Sequence, residues 1–467
     1  MIRTDKEQPE QRATAFGDGP HLFIDNHLIA RSENLTKVLH PPKRLLSEPV
    51  LDRRHGTTQP FLSIVRDPSS GRFRAWFGRD NPAREIAYVE SDDGLHWGAA
   101  TTVEVPGEVV NKDGCSLIDD GPDCPQPERR FKLAWHTKKL QPQDVPGMRV
   151  AFSADGLRWT PSKHNPVVPD YASRDDLHPE NLTHPLREFS CCDIVDVFRD
   201  PIRQCYRLFC KTPALPSDGY APAPRAYTLI RRLVSASVSE DFEHWERTRR
   251  VIAPDPCADG FEEYYGVGGT IARGNLLIGF LRVLRDDLAA EPGGPTDGIG
   301  WTELVTSRDG LNWQRHDGAF FDRSNRPGDW DRAMAWIGSV LPMGDELWLY
   351  YGGYKLGHKV GMKTERKIGL VKMPMDRFVS RRAGNVTGTL TTVPFAWPAE
   401  SRELTVNADL SAGELRVEAL DEDGYPITEL PARAGGLDEL LGRVVHLKFH
   451  LRNADLFGFG FKAGAAR

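Results

Sequence analysis

A seven-residue motif that returns at long intervals constrains this chain more than any other feature. Ser91-Asp92-Asp93-Gly94-Leu95-His96-Trp97 recurs as Ser153-Ala154-Asp155-Gly156-Leu157-Arg158-Trp159 and as Ser307-Arg308-Asp309-Gly310-Leu311-Asn312-Trp313. A degenerate copy, Ser239-Glu240-Asp241-Phe242-Glu243-His244-Trp245, lies between the second and the third. Self-similarity of this kind marks a repeat architecture, in which each copy is one supersecondary unit. Every copy follows a strand-like run, such as Glu85-Ile86-Ala87-Tyr88-Val89 or Thr302-Glu303-Leu304-Val305-Thr306. Asp-Gly supplies a tight turn, because Gly accepts positive φ and Asp bonds its own backbone, while the Trp packs over it. The motif therefore reads as a hairpin whose aspartates are occupied in the turn.

An apolar, aromatic-rich strand precedes each hairpin: Phe73-Arg74-Ala75-Trp76-Phe77, Phe131-Lys132-Leu133-Ala134-Trp135, Tyr206-Arg207-Leu208-Phe209-Cys210 and Leu276-Leu277-Ile278-Gly279-Phe280. A fifth, Glu346-Leu347-Trp348-Leu349-Tyr350-Tyr351, leads into Lys367-Ile368-Gly369-Leu370-Val371 without the Trp turn. Further short strands stand ahead of these, as at Ile194-Val195-Asp196-Val197-Phe198 with its Arg199-Asp200-Pro201 turn. Four strands per unit and five units predict an all-β fold, a five-bladed β-propeller over residues 20–387 behind a tail at 1–19. Past Gly388 the hairpin disappears, and alternating runs such as Val444-Val445-His446-Leu447-Lys448-Phe449 predict a small antiparallel β-sandwich over 388–467. The segment from Leu22 to Ile29 is expected to add a strand that closes the last blade or packs at the domain junction.

With 467 residues, 39% hydrophobic and 27% charged, the chain has enough apolar material for one large domain and a small one. No run approaches the roughly eighteen apolar residues that span a bilayer. The start, Met1-Ile2-Arg3-Thr4-Asp5-Lys6, carries no apolar signal core, so a soluble, cytoplasmic protein is expected. Seven cysteines with no Cys-x-x-Cys pair read as reduced thiols rather than a disulfide framework or zinc knuckle. A formal net charge of −6, spread along the chain, argues against nucleic acid as a partner.

The Ser-x-Asp-Gly-x-x-Trp hairpins, the Arg-Asp-Pro turns, the closing Ile368-Gly369-Leu370-Val371 unit with Met375-Asp376-Arg377-Phe378, and the appended sandwich together resemble the five-bladed propeller glycoside hydrolases. That superfamily includes families 32, 43, 68 and 117 and the related mannoside phosphorylases of family 130. The chain lacks the Trp-Met-Asn-Asp-Pro and Glu-Cys motifs of the sucrose and fructan hydrolases. The resemblance implies an exo-acting glycoside hydrolase on a small oligosaccharide or furanoside, with an anionic sugar among the candidates. A cytoplasmic phosphorylase and a non-catalytic sugar-binding propeller stay open as alternatives.

The resemblance also implies a funnel ringed by the starts of the innermost strands, and glycoside cleavage needs one carboxylic acid and one carboxylate there. Asp113, Asp193 and Glu263 are the catalytic candidates, with His55 as a proton-transferring substitute and Asp331 a further carboxylate. Arg54, Gln59, Trp330, Asp331 and Arg332 flank them as sugar-binding candidates. Basic residues at the ends of the second strands, Arg79, His136, Lys211, Arg282 and Lys355, predict an anion near the funnel. Trp76, Trp135, Trp330 and Trp336 are candidate sugar platforms, the first two also serving as blade core. No organic cofactor is expected, and a central divalent cation stays open on the funnel carboxylates and His55 although no ligand spacing supports it.

Overall fold

The computed structural model describes residues 14–15, 17, 19–44, 46–80, 85–110, 114–138, 145–171, 185–220, 231–316, 318–363, 366–430, 433–435 and 437–463. Strands dominate it, and the helical pieces among the described residues are 3-10 segments of three to six residues. None is long and apolar enough to cross a membrane. The chain divides into two compact units. One holds residues 1–40, 273–275 and 376–467, the other 41–272 and 276–375.

The larger unit is a succession of five antiparallel meanders. The first runs through Thr57–Arg66, Phe73–Asp80, Glu85–Ser91 and Thr101–Thr102, and the second through Ser116–Asp119, Phe131–Thr137, Gly147–Ser153 and Thr160–Pro161. The third comprises Val195–Asp200, Cys205–Ala214, Arg231–Ser239 and Arg249–Ile252. Glu263–Arg273, Leu276–Arg285, Ile299–Ser307 and Gln314–Arg315 form the fourth, and Met334–Met343, Glu346–Tyr354 and Arg366–Pro374 the fifth.

On four of the five leading strands a backbone donor is met by a side chain from a neighbouring meander, and the fifth leading strand also pairs in parallel with the fourth meander where Met334 meets Gly300. Leu117 N donates to Ser63 Oγ (2.8 Å), Val197 N to Ser116 Oγ (3.0 Å), and Ile64 N to Ser339 Oγ (2.9 Å). Between the third and fourth meanders the link is ionic: Arg282 grips Asp196 through two bonds of 2.8 and 2.9 Å. Thr302 then joins the fourth meander to the fifth through Ala335 O and Ile337 N, both at 3.0 Å. The links close a ring. Its five leading strands together line a cavity of about 210 Å³.

The four Trp hairpins occupy matching positions. In each, the Ser Oγ accepts from the backbone of the residue three ahead, and the Asp carboxylate accepts two backbone N–H groups, as at Asp93 with Leu95 and His96 (2.8 Å each). Gly94, Gly156 and Gly310 sit at φ near +74°, and a Cβ on Gly310 would stand 2.2 Å from the Arg207 guanidinium carbon. Trp159 is buried, while Trp97, Trp245 and Trp313 pack partly covered on the apolar clusters of their meanders.

The smaller unit has two sheets that share one apolar cluster, with Leu404, Leu456, Val417, Leu447 and Phe449 at its centre. The expected boundaries change here. Residues from 20 to 40 belong with this unit: Ile29–Glu33 pairs with Gly388–Thr392, and Thr36–Leu39 with Val379–Ala383. Closure of the last meander falls to a later segment, since Leu51 and Ile368 exchange backbone bonds of 3.1 and 2.9 Å and Lys43 bridges Lys372. A short strand carries no mark of its distant partner, so alternation in the sequence locates the strand without locating its sheet.

Candidate active site

Antiparallel strands return every second strand end to the level at which the leading strands begin. On this face Glu263 opens the fourth leading strand, and its fully buried carboxylate is paired with Arg232 from the start of Arg231–Ser239. Asp286, one residue beyond Leu276–Arg285, is equally buried, and Lys359 Nζ stands 3.5 Å from its Oδ2. Neither Asp286 oxygen, nor Glu263 Oε1, meets a donor among the described residues. A proton on Asp286 would let that carboxyl donate to Glu263 and so give a partner to one oxygen of each.

Burial, then the Glu263 charge, pushes Asp286 up to about 6. Burial also opposes the charge on Glu263, but Arg232 and then Lys359 outweigh it and hold Glu263 below its ordinary value. Burial and the nearby Arg232 bring the Lys359 ammonium down to about 8.

Asp193, just ahead of the third leading strand, is the accessible carboxylate, with 32% of its side chain exposed. It pairs with Lys211 and has Lys138 Nζ at 3.8 Å. Desolvation disfavours its charge, yet Lys211 and Lys138 overcome this and hold it far below the usual carboxylate range. The Tyr265 ring connects the two centres, with Lys211 Nζ 4.8 Å and the Arg232 guanidinium 5.3 Å from its centroid. His358 lies 5.2 Å from the same ring. A carboxylate that two lysines favour as the charged form, and a carboxyl raised to about 6 beside the Glu263–Arg232 pair, thus belong to the two ion-pair centres that the Tyr265 ring joins, and acid–base cleavage uses one group of each kind.

Asp193 and Glu263 are the sequence candidates that this arrangement brings together. Asp113 lies outside the described residues, as does the side chain of Gln59. His55 is buried and turned elsewhere, towards Asp52 (3.5 Å) and the Trp97 carbonyl (3.5 Å). Arg54 is exposed on Asp52. Asp331 is bound by Arg44 (2.8 Å) and the Tyr351 hydroxyl (3.1 Å), and Arg332 by Glu291 (3.0 Å), so both are engaged in structural pairs. Trp330 stacks on Tyr351 and donates to Ser47 O, while Trp76, Trp135 and Trp336 are completely buried as core.

The expected basic ring dissolves into ion pairs. Arg79 pairs with Glu85, His136 with Asp170 at 3.0 Å, Lys211 with Asp193, and Arg282 with Asp196 deep inside the ring. Lys355 is exposed. The strand holding Arg282 continues to Arg285, which leaves Arg282 in mid-strand and brings Asp286 to the face. Asp286, Lys359, Arg232, Tyr265 and His358 were missed in the sequence. The Arg285-Asp286-Asp287 run at that strand's end is the signal that would have located Asp286. Among the described residues no group of three or more His, Cys, Asp or Glu side chains is arranged to hold a metal ion.

No family model matches this chain, and no curated protein does. Solved structures similar to it include a family 43 arabinoxylan arabinofuranohydrolase from Bacillus subtilis in complex with cellotetraose. That match has 12% identity and a TM-score of 0.42, over 91% of this chain and 99% of that one. An N-acetylgalactosamine deacetylase from F. plautii, in complex with blood group B trisaccharide, matches at 14% and 0.46, over 73% and 96%. A third, from the GH130 family of mannoside phosphorylases that contains hydrolases of beta-1,2 mannosidic linkages in Candida mannan, matches at 13% and 0.40, over 73% and 95%. Similarity this distant leaves the chemistry to this chain's own residues.

Proposed function

We propose that the larger unit is a five-bladed β-propeller, the smaller a β-sandwich, and the whole a propeller glycoside hydrolase that acts from the end of small oligosaccharides or furanosides. The single observation behind the reaction is that the Asp193–Lys211 pair and the Glu263–Arg232 pair, with Asp286 next to Glu263, meet at the Tyr265 ring, and the low value of Asp193 beside the raised value of Asp286 supports it. Asp193 is the base or nucleophile that meets the sugar, and Asp286, backed by ionised Glu263, supplies the proton for the leaving oxygen. The Tyr265 and His358 rings offer apolar faces beside them.

A screen of aryl glycosides and oligosaccharides, run with and without phosphate and followed by product analysis, tests the reading. Hydrolysis that needs no phosphate and is lost in Asp193→Asn with substrate binding retained is the expected result, since the carboxylate acts in the transition state. Strict phosphate dependence would make the enzyme a phosphorylase. Full activity in Asp193→Asn would remove this residue from the chemistry.

A further inference from the structure

One charged group beside the Tyr265 cluster pairs with no carboxylate among the described residues. Arg366, at the start of the third strand of the fifth meander, is 7% exposed, and its Nε has no hydrogen-bond partner. Among the described residues no carboxylate pairs with it, and its guanidinium lies over the Tyr354 ring at 4.6 Å. Tyr354 stacks parallel to His358 with centroids 6.2 Å apart, and His358 in turn meets Tyr265 at 5.2 Å. The unpaired guanidinium therefore reaches the same aromatic cluster on which Lys211 and Arg232 converge. His358 Nδ1, in the middle of it, is buried without a partner.

The charge balance points the same way. Among the described residues, Lys138, Lys211, Arg232 and Lys359 pair with Asp193, Glu263 and Asp286, which leaves Arg366 as an added cation. Burial, then Lys359 and Arg366, holds the His358 imidazole well below its ordinary value, so it stays neutral and adds no charge of its own. A buried cation without a partner is costly, and a guanidinium binds carboxylate, sulfate or phosphate through paired, charge-assisted bonds.

We propose that Arg366, on the aromatic cluster that holds His358 and with Lys359 next to His358 in the chain, binds an oxyanion there: the carboxylate, sulfate or phosphate of a charged sugar, or free inorganic phosphate. The inference rests on reading this face of the larger unit as the sugar site, and it names the class of substrate that site accepts. Arg366 selects the anion by its fork, and Lys359 adds a second donor from the carboxyl side.

The test is thermal melting of the intact chain with inorganic phosphate, sulfate, glucuronate, glucose 6-phosphate and neutral glucose, at ionic strength matched with sodium chloride. Oxyanions raise the melting temperature of the wild type and chloride and glucose do not. Arg366→Met weakens the half-saturating oxyanion concentration about tenfold or more, as loss of a charge-assisted pair implies. Arg366→Lys restores part of that loss, and Lys359→Met provides a second variant if the first fails to fold. A shift with phosphate but with neither charged sugar identifies the free ion as the ligand, and a shift with a charged sugar identifies the substrate's own anion. Equal shifts in wild type and both Met variants, or none with any oxyanion, overturn the proposal. Turnover of neutral glycosides with no oxyanion binding sinks this inference and leaves the hydrolase intact; oxyanion binding without turnover of any glycan does the reverse.

Discussion

Phe242 occupies the place of glycine in the degenerate hairpin and accepts φ of +70° there, where the other three copies have Gly94, Gly156 and Gly310. Its ring is fully buried against Tyr206, Trp245 and Phe152, which accounts for a strained backbone at this position. Burial outweighs strain. Losing the ring costs about 3–5 kcal/mol and relieving the left-handed backbone returns about 1. Phe242→Gly therefore lowers stability by about 2–4 kcal/mol in denaturant unfolding, and an unchanged midpoint would show that the ring contributes nothing. Asp286 governs a different observable. Its carboxyl is raised from 3.8 to about 6, so folding takes up its proton between these values, and the stability that the proton confers is present below pH 4 and lost as pH rises through 6. Asn keeps an uncharged hydrogen-bonding group at all pH values. Asp286→Asn should gain roughly 1–3 kcal/mol relative to wild type on going from pH 4 to 7.5, while losing most turnover. In the wild type, kcat should fall as pH rises above about 6, because the acid then loses its proton. A flat wild-type profile from pH 5 to 8 would remove Asp286 from the acid role.

Between meanders, short polar side chains serve four junctions of the ring and an ion pair serves the fifth. Arg282 is fully buried and spans the junction with bonds to Asp196 and a further bond to Ile337 O at 3.3 Å. Removing one member of such a pair leaves an uncompensated buried charge, whereas removing both leaves mostly a packing change. Arg282→Met is expected to destabilise by about 3–5 kcal/mol, and the Arg282→Met, Asp196→Leu double variant to recover much of that loss. Urea midpoints of the four proteins decide it. A double variant as unstable as the sum of its singles would mean that the two groups do not interact. The basic ring inferred from strand ends failed on this scale: a strand end read three residues short turned a junction residue, Arg282, into a site residue and hid Asp286.

In the larger unit, Lys43, Val50 and Leu51 lie early in the chain and pair along the edge of the fifth meander, which the chain reaches some three hundred residues later. An uncovered edge is a template for pairing between molecules. Leu51→Pro removes the N–H that bonds to Ile368 O, and light scattering should then show concentration-dependent self-association with the strands retained in circular dichroism. A variant that stays monomeric to high concentration would show that this edge needs no cover. The sequence by itself determined the local units: Asp-Gly turns, alternating runs and Trp anchors are short-range signals, set by allowed backbone angles and by which face of a strand is apolar. It also located the starts of the leading strands, which is why Asp193, just ahead of one, and Glu263, the first residue of another, were legible as candidates. Only the tertiary structure decided the partners. Whether Lys211 is a free cation or the mate of Asp193, whether Leu22 or Leu51 covers an edge, and which carboxyl stands near enough to Glu263 to share its proton all depend on distances between residues far apart in sequence, and on the burial that makes those charges matter.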